Sequence, residues 1–148
     1  MTSDESIDLK EVVFINERAH RDYREMPPEV KESADGAITE IQNERPLPKK
    51  LLNALKGNLS GIDEIRLPYD TDTYRVYVTA FRAAVYVLDA GMKKSKSGAA
   101  IPPNQTERLI ERRKRAVKDY EDNRAEFERD AERRRRHHDY LVRTGKLP

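Results

Sequence analysis

The stretch from Ile62 to Leu88, IDEIRLPYDTDTYRVYVTAFRAAVYVL, decides the fold. It holds three runs rich in β-branched and aromatic residues: Ile62–Leu67, Tyr74–Thr79 and Ala84–Leu88. Such runs bounded by turn residues read as strands. They are separated only by Pro68-Tyr69-Asp70-Thr71-Asp72 and by Ala80-Phe81-Arg82. Connections this short join antiparallel strands, because a parallel crossover takes a dozen or more residues. Side chains alternate along a strand, so Tyr74, Val76 and Val78 share one face and Arg75, Tyr77 and Thr79 the other. The first face is the better candidate for core, the second for function.

Upstream, Lys10–Ile15 (KEVVFI) reads as a further strand. Asn16 is placed to cap a helix over Glu17–Glu25, which stops at Met26-Pro27-Pro28. A second helix is expected from Pro28 or Glu29 to Asn43, with Val30, Ala34, Ala37, Ile38 and Ile41 forming one apolar stripe. Pro46 and Pro48 end it, and Leu51, Leu52 and Leu55 read as a short helical turn before Gly57. Downstream, Gly91–Pro103 is a loop of Lys, Ser, Gly and Pro. Asn104 with Glu107 resembles a capping box that opens a final helix running to about Tyr140. Its apolar stripe is thin (Leu109, Ile110, Val117, Tyr120, Phe127, Ala131), whereas oppositely charged i,i+4 pairs such as Glu111–Arg115 and Lys118–Asp122 are frequent. Each pair adds about 0.2–0.5 kcal/mol, enough in sum to support a solvated helix. Its first turns are expected to dock, and the remainder to project or to pair with a second chain.

These elements predict an α+β fold: a small twisted antiparallel sheet, two N-terminal helices on one face, and a long charged C-terminal helix. The expected organisation is an acidic tail at 1–9, a domain at 10–118, and a charged helical extension at 119–148.

Composition narrows the function. Among 148 residues, 38% are charged and 36% apolar, so the core is small relative to the surface. No run approaches the roughly 18 apolar residues of a membrane span, and the acidic start Met1-Thr2-Ser3-Asp4-Glu5 is unlike a secretory signal. A cytoplasmic protein with no membrane association is the expectation. The chain has no cysteine, which excludes disulfides and thiolate metal sites. There is no Gly-rich phosphate loop, zinc-ligand spacing or Ser/His/Asp arrangement, so neither a cofactor nor a metal is expected. His137 and His138 are adjacent and point about 100° apart on a helix, which makes a poor metal pair. The net charge of +2 is unevenly spread: residues 1–45 hold 6 basic and 12 acidic side chains, residues 46–104 hold 9 and 5, and residues 105–148 hold 14 and 10. A basic centre beside an acidic N-terminal third suits an anionic partner on one side.

Several pieces recur in order: Leu55-Lys56-Gly57-Asn58-Leu59, Glu64-Ile65-Arg66, Tyr74-Arg75-Val76, Val85-Tyr86-Val87-Leu88 and Lys93-Lys94-Ser95. Over roughly residues 10–118 this series resembles the RelE/HigB-type toxin superfamily, and within it the phage-derived, HigB-like branch. The chain departs from that pattern at Asp89 and Gly91, where a His and an aromatic are common, and in the length of its C-terminal helix.

The resemblance implies a toxin of a type II toxin–antitoxin pair, most simply a metal-free, ribosome-dependent mRNA endoribonuclease. Its partners would be mRNA, the ribosome and a helix-turn-helix antitoxin. Alternatives are a non-catalytic interaction protein of the same fold, such as a phage accessory factor, and a gyrase-inhibiting toxin. A metal-free ribonuclease needs a base for the 2′-hydroxyl, cations for the charge that builds on phosphorus, and an acid for the leaving oxygen. Arg75 is the first candidate for charge stabilisation and Arg66, on the neighbouring strand, the second. A guanidinium is always ionised and grips two phosphate oxygens at once. Lys93 and Lys94 are candidates for proton transfer, since a lysine among other cations has a lowered pKa. Glu64 and Asp89 are carboxylate alternatives for the base. Lys56 and Lys96 are candidate phosphate contacts, and Tyr77 a candidate stacking surface. The bland alternatives are cross-strand ion pairs for Arg66 and Arg75, a solvated loop for the lysines, and core packing for the tyrosines.

Overall fold

The computed structural model describes residues 10–92 and 101–146. Strand β1 (Glu11–Phe14) leads into helices α1 (Glu17–Arg24) and α2 (Pro28–Gln42), then β2 (Leu52–Ala54) and a 3-10 turn at Gly57–Leu59. Strands β3 (Asp63–Tyr69), β4 (Asp72–Ala80) and β5 (Ala84–Met92) follow, and helix α3 spans Pro103–Arg143. The five strands lie in the order β1-β5-β4-β3-β2.

Local chemistry accounts for most boundaries. Asn16 caps α1 as expected, its side-chain oxygen accepting the Ala19 N–H at 2.8 Å. Proline opens both α2 and α3, where its missing N–H costs nothing. The capping box expected at Asn104 is absent: Pro102 occupies the cap, no side chain caps the helix, and Asn104 instead accepts from the Gln105 N–H. Leu52 is likewise not helical. Leu52, Asn53 and Ala54 pair antiparallel with Ile65, Glu64 and Asp63, because the open edge of β3 offers a ladder that an isolated helical turn lacks.

The meander β3-β4-β5 is antiparallel throughout. β1 joins it in parallel on β5, with Glu11 to Phe14 opposite Ala84 to Val87. Between them the chain passes through β2, β3 and β4, so the parallel pairing cannot be read from any short connection.

The core lies in two layers. On one face, Tyr23, Met26, Val30, Ala34 and Ile38 of the two N-terminal helices pack on Ile65, Leu67, Val76, Val78, Val85 and Val87. On the other, Leu109, Ala116 and Tyr120 of α3 pack on Tyr77, Tyr86 and Leu88. Phe81, Tyr120 and Phe127 stack in series, with centroids 4.6 and 5.5 Å apart. The face expected to be open is therefore half-roofed: Tyr77 is 3% and Thr79 1% exposed. None of the described helices is long and apolar enough to cross a membrane.

Candidate functional site

Register builds the site. Glu64, Tyr77 and Asp89 stand in one row across β3, β4 and β5, and Arg66, Arg75 and Gly91 in the next. A one-residue irregularity decides the row at Asp89. Tyr77 is opposite Asp89, whereas the following Val78 is opposite Val87, so Leu88 is extra. A bulge of this kind shifts the alternation, and Leu88 and Asp89 both turn toward the α3 side. Without it Asp89 would face the helices of the other layer.

Arg66 and Arg75 are thus like charges directly opposite each other, an arrangement that is destabilising by itself. Glu64 resolves it. One carboxylate oxygen receives Arg66 Nε and Arg75 Nη1, each at 2.9 Å, and the other accepts the Tyr77 hydroxyl at 3.1 Å. Glu64 is buried, and so nearly is the Arg75 side chain, while Arg66 is about one-third exposed. Arg75 Nε is buried and makes no hydrogen bond among the described residues. The Tyr77 phenol is pushed well above its ordinary pKa, first by burial and then by the adjoining Glu64 carboxylate.

Asp89 is the second buried carboxylate. Its Oδ2 receives Arg108 Nη2 at 3.0 Å and Gln105 Nε2 at 3.2 Å, and its Oδ1 accepts its neighbour's backbone N–H from Ala90. Arg112 Nη1 lies 3.4 Å from Oδ1 and donates to the Leu88 carbonyl at 2.7 Å. Asp89 therefore fastens the first turns of α3 to the end of β5.

These residues border a cleft of about 500 Å³ between α1, the ends of β4 and β5, and the start of α3. Arg75 and Tyr77 form part of its floor, Arg108 and Gln105 one wall, and Asp22 and Glu25 the opposite wall. Among the described residues no group of His, Asp and Glu is arranged to hold a metal ion.

The sequence candidates fall into three sets. Arg75 and Tyr77 reach the cleft, and Glu64 joins them to Arg66, which stands one strand farther out and does not line it. Buried this far, the Tyr77 ring packs with Tyr86 and Leu88 rather than standing open to a base. Lys56 precedes the 3-10 turn as an exposed residue and is not brought to the cleft. Lys93, Lys94 and Lys96 lie outside the described residues. Arg108 and Arg112 were not anticipated from sequence. The signal was there: Leu109, Arg112, Ala116 and Tyr120 continue at helical spacing, which places an arginine on the buried stripe of α3.

None of the curated proteins compared matches the chain. Among solved structures, the E. coli toxin RelE, a mutant in the free state, aligns over 59% of this chain and 86% of its own, at 22% identity and a TM-score of 0.46. A family model described as phage-derived protein Gp49-like matches residues 21–115, from within α1, through the whole β2–β5 meander and both buried carboxylates, to the Arg112 turn of α3. With that match covering well over half of its length, the chain belongs to the phage-derived Gp49-like family.

Proposed function

We propose that the protein is a toxin of a type II toxin–antitoxin pair, acting as a metal-free endoribonuclease on mRNA at the ribosome. The observation that carries this reading is Arg75: a guanidinium fixed by Glu64, set at the floor of the cleft, with a second guanidinium directly across the strand. Membership of a phage-derived family and the ordered motif series of the sequence support it.

In that reaction the RNA 2′-oxygen attacks the adjacent phosphorus and the bond from phosphorus to the 5′-oxygen breaks. A cyclic 2′,3′-phosphate and a free 5′-hydroxyl result. The 2′-hydroxyl proton passes to a base, and the leaving oxygen takes a proton from an acid. Arg75 carries the charge that develops on the phosphorane. Glu64 holds it in place, so little reorganisation is needed as the charge appears. The two buried carboxylates at the cleft, Glu64 and Asp89, are already engaged by arginines. The proton carriers in this reading are Lys93 and Lys94, which follow Met92 directly in sequence. An antitoxin would silence the protein by covering the cleft.

The same engagement of Glu64 and Asp89 favours a second reading, in which the cleft binds a partner without chemistry. Expression alone separates the two. The endoribonuclease arrests growth, cuts end-labelled mRNA in a translating extract with EDTA present, and loses about 100-fold or more of its cleavage rate in Arg75→Ala. Full cleavage by Arg75→Ala overturns the role of Arg75. Intact mRNA with unimpaired translation overturns the enzyme reading in favour of a binding protein, and DNA-damage signalling without mRNA cuts would point to a gyrase poison.

A further inference from the structure

Helix α3 outruns the domain it packs on. Its 41 residues span about 60 Å at 1.5 Å each. Packing on the second core layer reaches Phe127 and Ala131, and most residues beyond them are exposed.

Charge along this helix is segregated. Residues 118–132 carry 7 acidic and 3 basic side chains, whereas residues 133–146 carry 1 acidic and 6 basic. The acidic block is not hidden by the domain: residues 121–126, more than a full helical turn, are all exposed. The basic block ends in an apolar tip, where Tyr140 is 43% and Val142 39% exposed, two of the three large apolar side chains left open among the described residues.

We propose that α3 is a self-association surface: two copies pair antiparallel through the outer faces of α3, the basic last turns of each lying along the acidic middle of the other. An antiparallel pair centred near residue 132 satisfies both blocks at once under one two-fold axis, which a parallel pair, setting like against like, cannot do. The overlap, roughly residues 119–146 of each copy, is about 40 Å long. Because each domain occupies the inner face of its own helix, the two domains fall on opposite sides of the pair. The Tyr140 and Val142 tip of one copy is carried toward Ala125 of the other, a small residue in the exposed block.

A polyanion is the competing occupant of the basic turns. It fits less well. A nucleic acid strand continuing along α3 meets a block of net charge −4 within a few turns, and phosphates give the apolar tip no cover.

The contact is largely ionic, and exposed ion pairs are weak and screened by salt. Light scattering on the full chain at 50 mM and 500 mM NaCl therefore tests it. The expected mass is twice the 17.2 kDa of the chain at low salt, falling toward one chain at high salt. Two charge-reversed variants make the test specific: R136E/R143E in the basic block and D122K/E126K in the acidic block. Each alone is expected to be monomeric at 50 mM NaCl with unchanged circular dichroism, and an equimolar mixture to recover the dimer mass. A monomeric wild-type protein at 50 mM salt overturns the proposal, as does a dimer that both variants retain. Binding of a 20-base-pair RNA duplex by the monomer, lost in R136E/R143E, would assign the basic turns to a polyanion instead. None of these readouts depends on cleavage activity.

Discussion

Glu64 and Asp89 are the two residues on which the site turns, since each is a buried carboxylate that gathers two guanidinium groups, Glu64 from β3 and β4 and Asp89 from α3. Removing one partner of such a cluster leaves the others as uncompensated buried charge, which costs about 3–5 kcal/mol. Glu64→Ala is expected to lose about that much in urea unfolding, because Arg66 and Arg75 are then left facing each other. Tyr77→Phe removes only a hydroxyl from the same carboxylate and is expected to cost about 1 kcal/mol. Equal losses in the two variants would show that Glu64 does not hold the pair apart. Alkaline pH probes a second set of residues. The phenols of Tyr23, Tyr77 and Tyr86 are all raised, in each case first by burial, and then by the neighbouring carboxylates of Asp35, Glu64 and Asp119. A phenol raised in the folded state binds more protons there than in the unfolded chain at pH above about 10, so stability is complete below that pH and declines as pH rises past it. Melting temperatures measured from pH 8 to 11 should fall across the upper part of that range, and Tyr86→Phe should fall less steeply than the wild type. The ion pairing of Arg66 and Arg75 was legible in sequence as a cross-strand alternative. The burial of Tyr77 was likewise legible only as the core-packing alternative, because alternation assigns a face without saying what covers it.

At the scale of elements, the meander followed from its short connections and its alternating pattern, and the two N-terminal helices from caps, prolines and one apolar stripe. What those rules could not supply was the extra Leu88 in β5, which depends on how two strands align and leaves no mark in composition. That residue aims Asp89 at α3, and Asp89 in turn receives Arg108, Arg112 and Gln105. The thin stripe of α3 therefore docks by a few deeply placed groups. Leu109 is fully buried between them. Leu109→Ala should cost about 2–5 kcal/mol, read by chemical denaturation, since the sheet below cannot move in to fill the space. A loss under about 1 kcal/mol would mean that α3 is held by its ion pairs alone. The helical reading of Leu51 and Leu52 failed for a related reason: a short apolar segment takes its conformation from the edge it meets, here that of β3.

For the whole molecule, three layers place the cleft where the sheet ends and α3 begins, while the exposed turns of α3 lie at the far end of the same helix. The two regions should be separable. A chain ending after Ala131 removes mainly exposed turns and should keep its unfolding free energy within about 1 kcal/mol of the full protein, as solvated positions do. A chain ending before Leu109 should instead aggregate, because Tyr86, Leu88 and Tyr77 would lose their cover. Unfolding of the chain that ends after Ala131 would show that the projecting turns are part of the domain. The sequence by itself determined the class of fold, the antiparallel meander and the helical layer on one face, because periodicity, caps and connection length act between near neighbours. The tertiary structure alone decided that β1 lies parallel on β5, that α3 roofs the second face, and that Glu64 and Asp89 organise the cleft. Those outcomes depend on how separate elements meet, with energies set by burial and by desolvated charge and not by any local pattern.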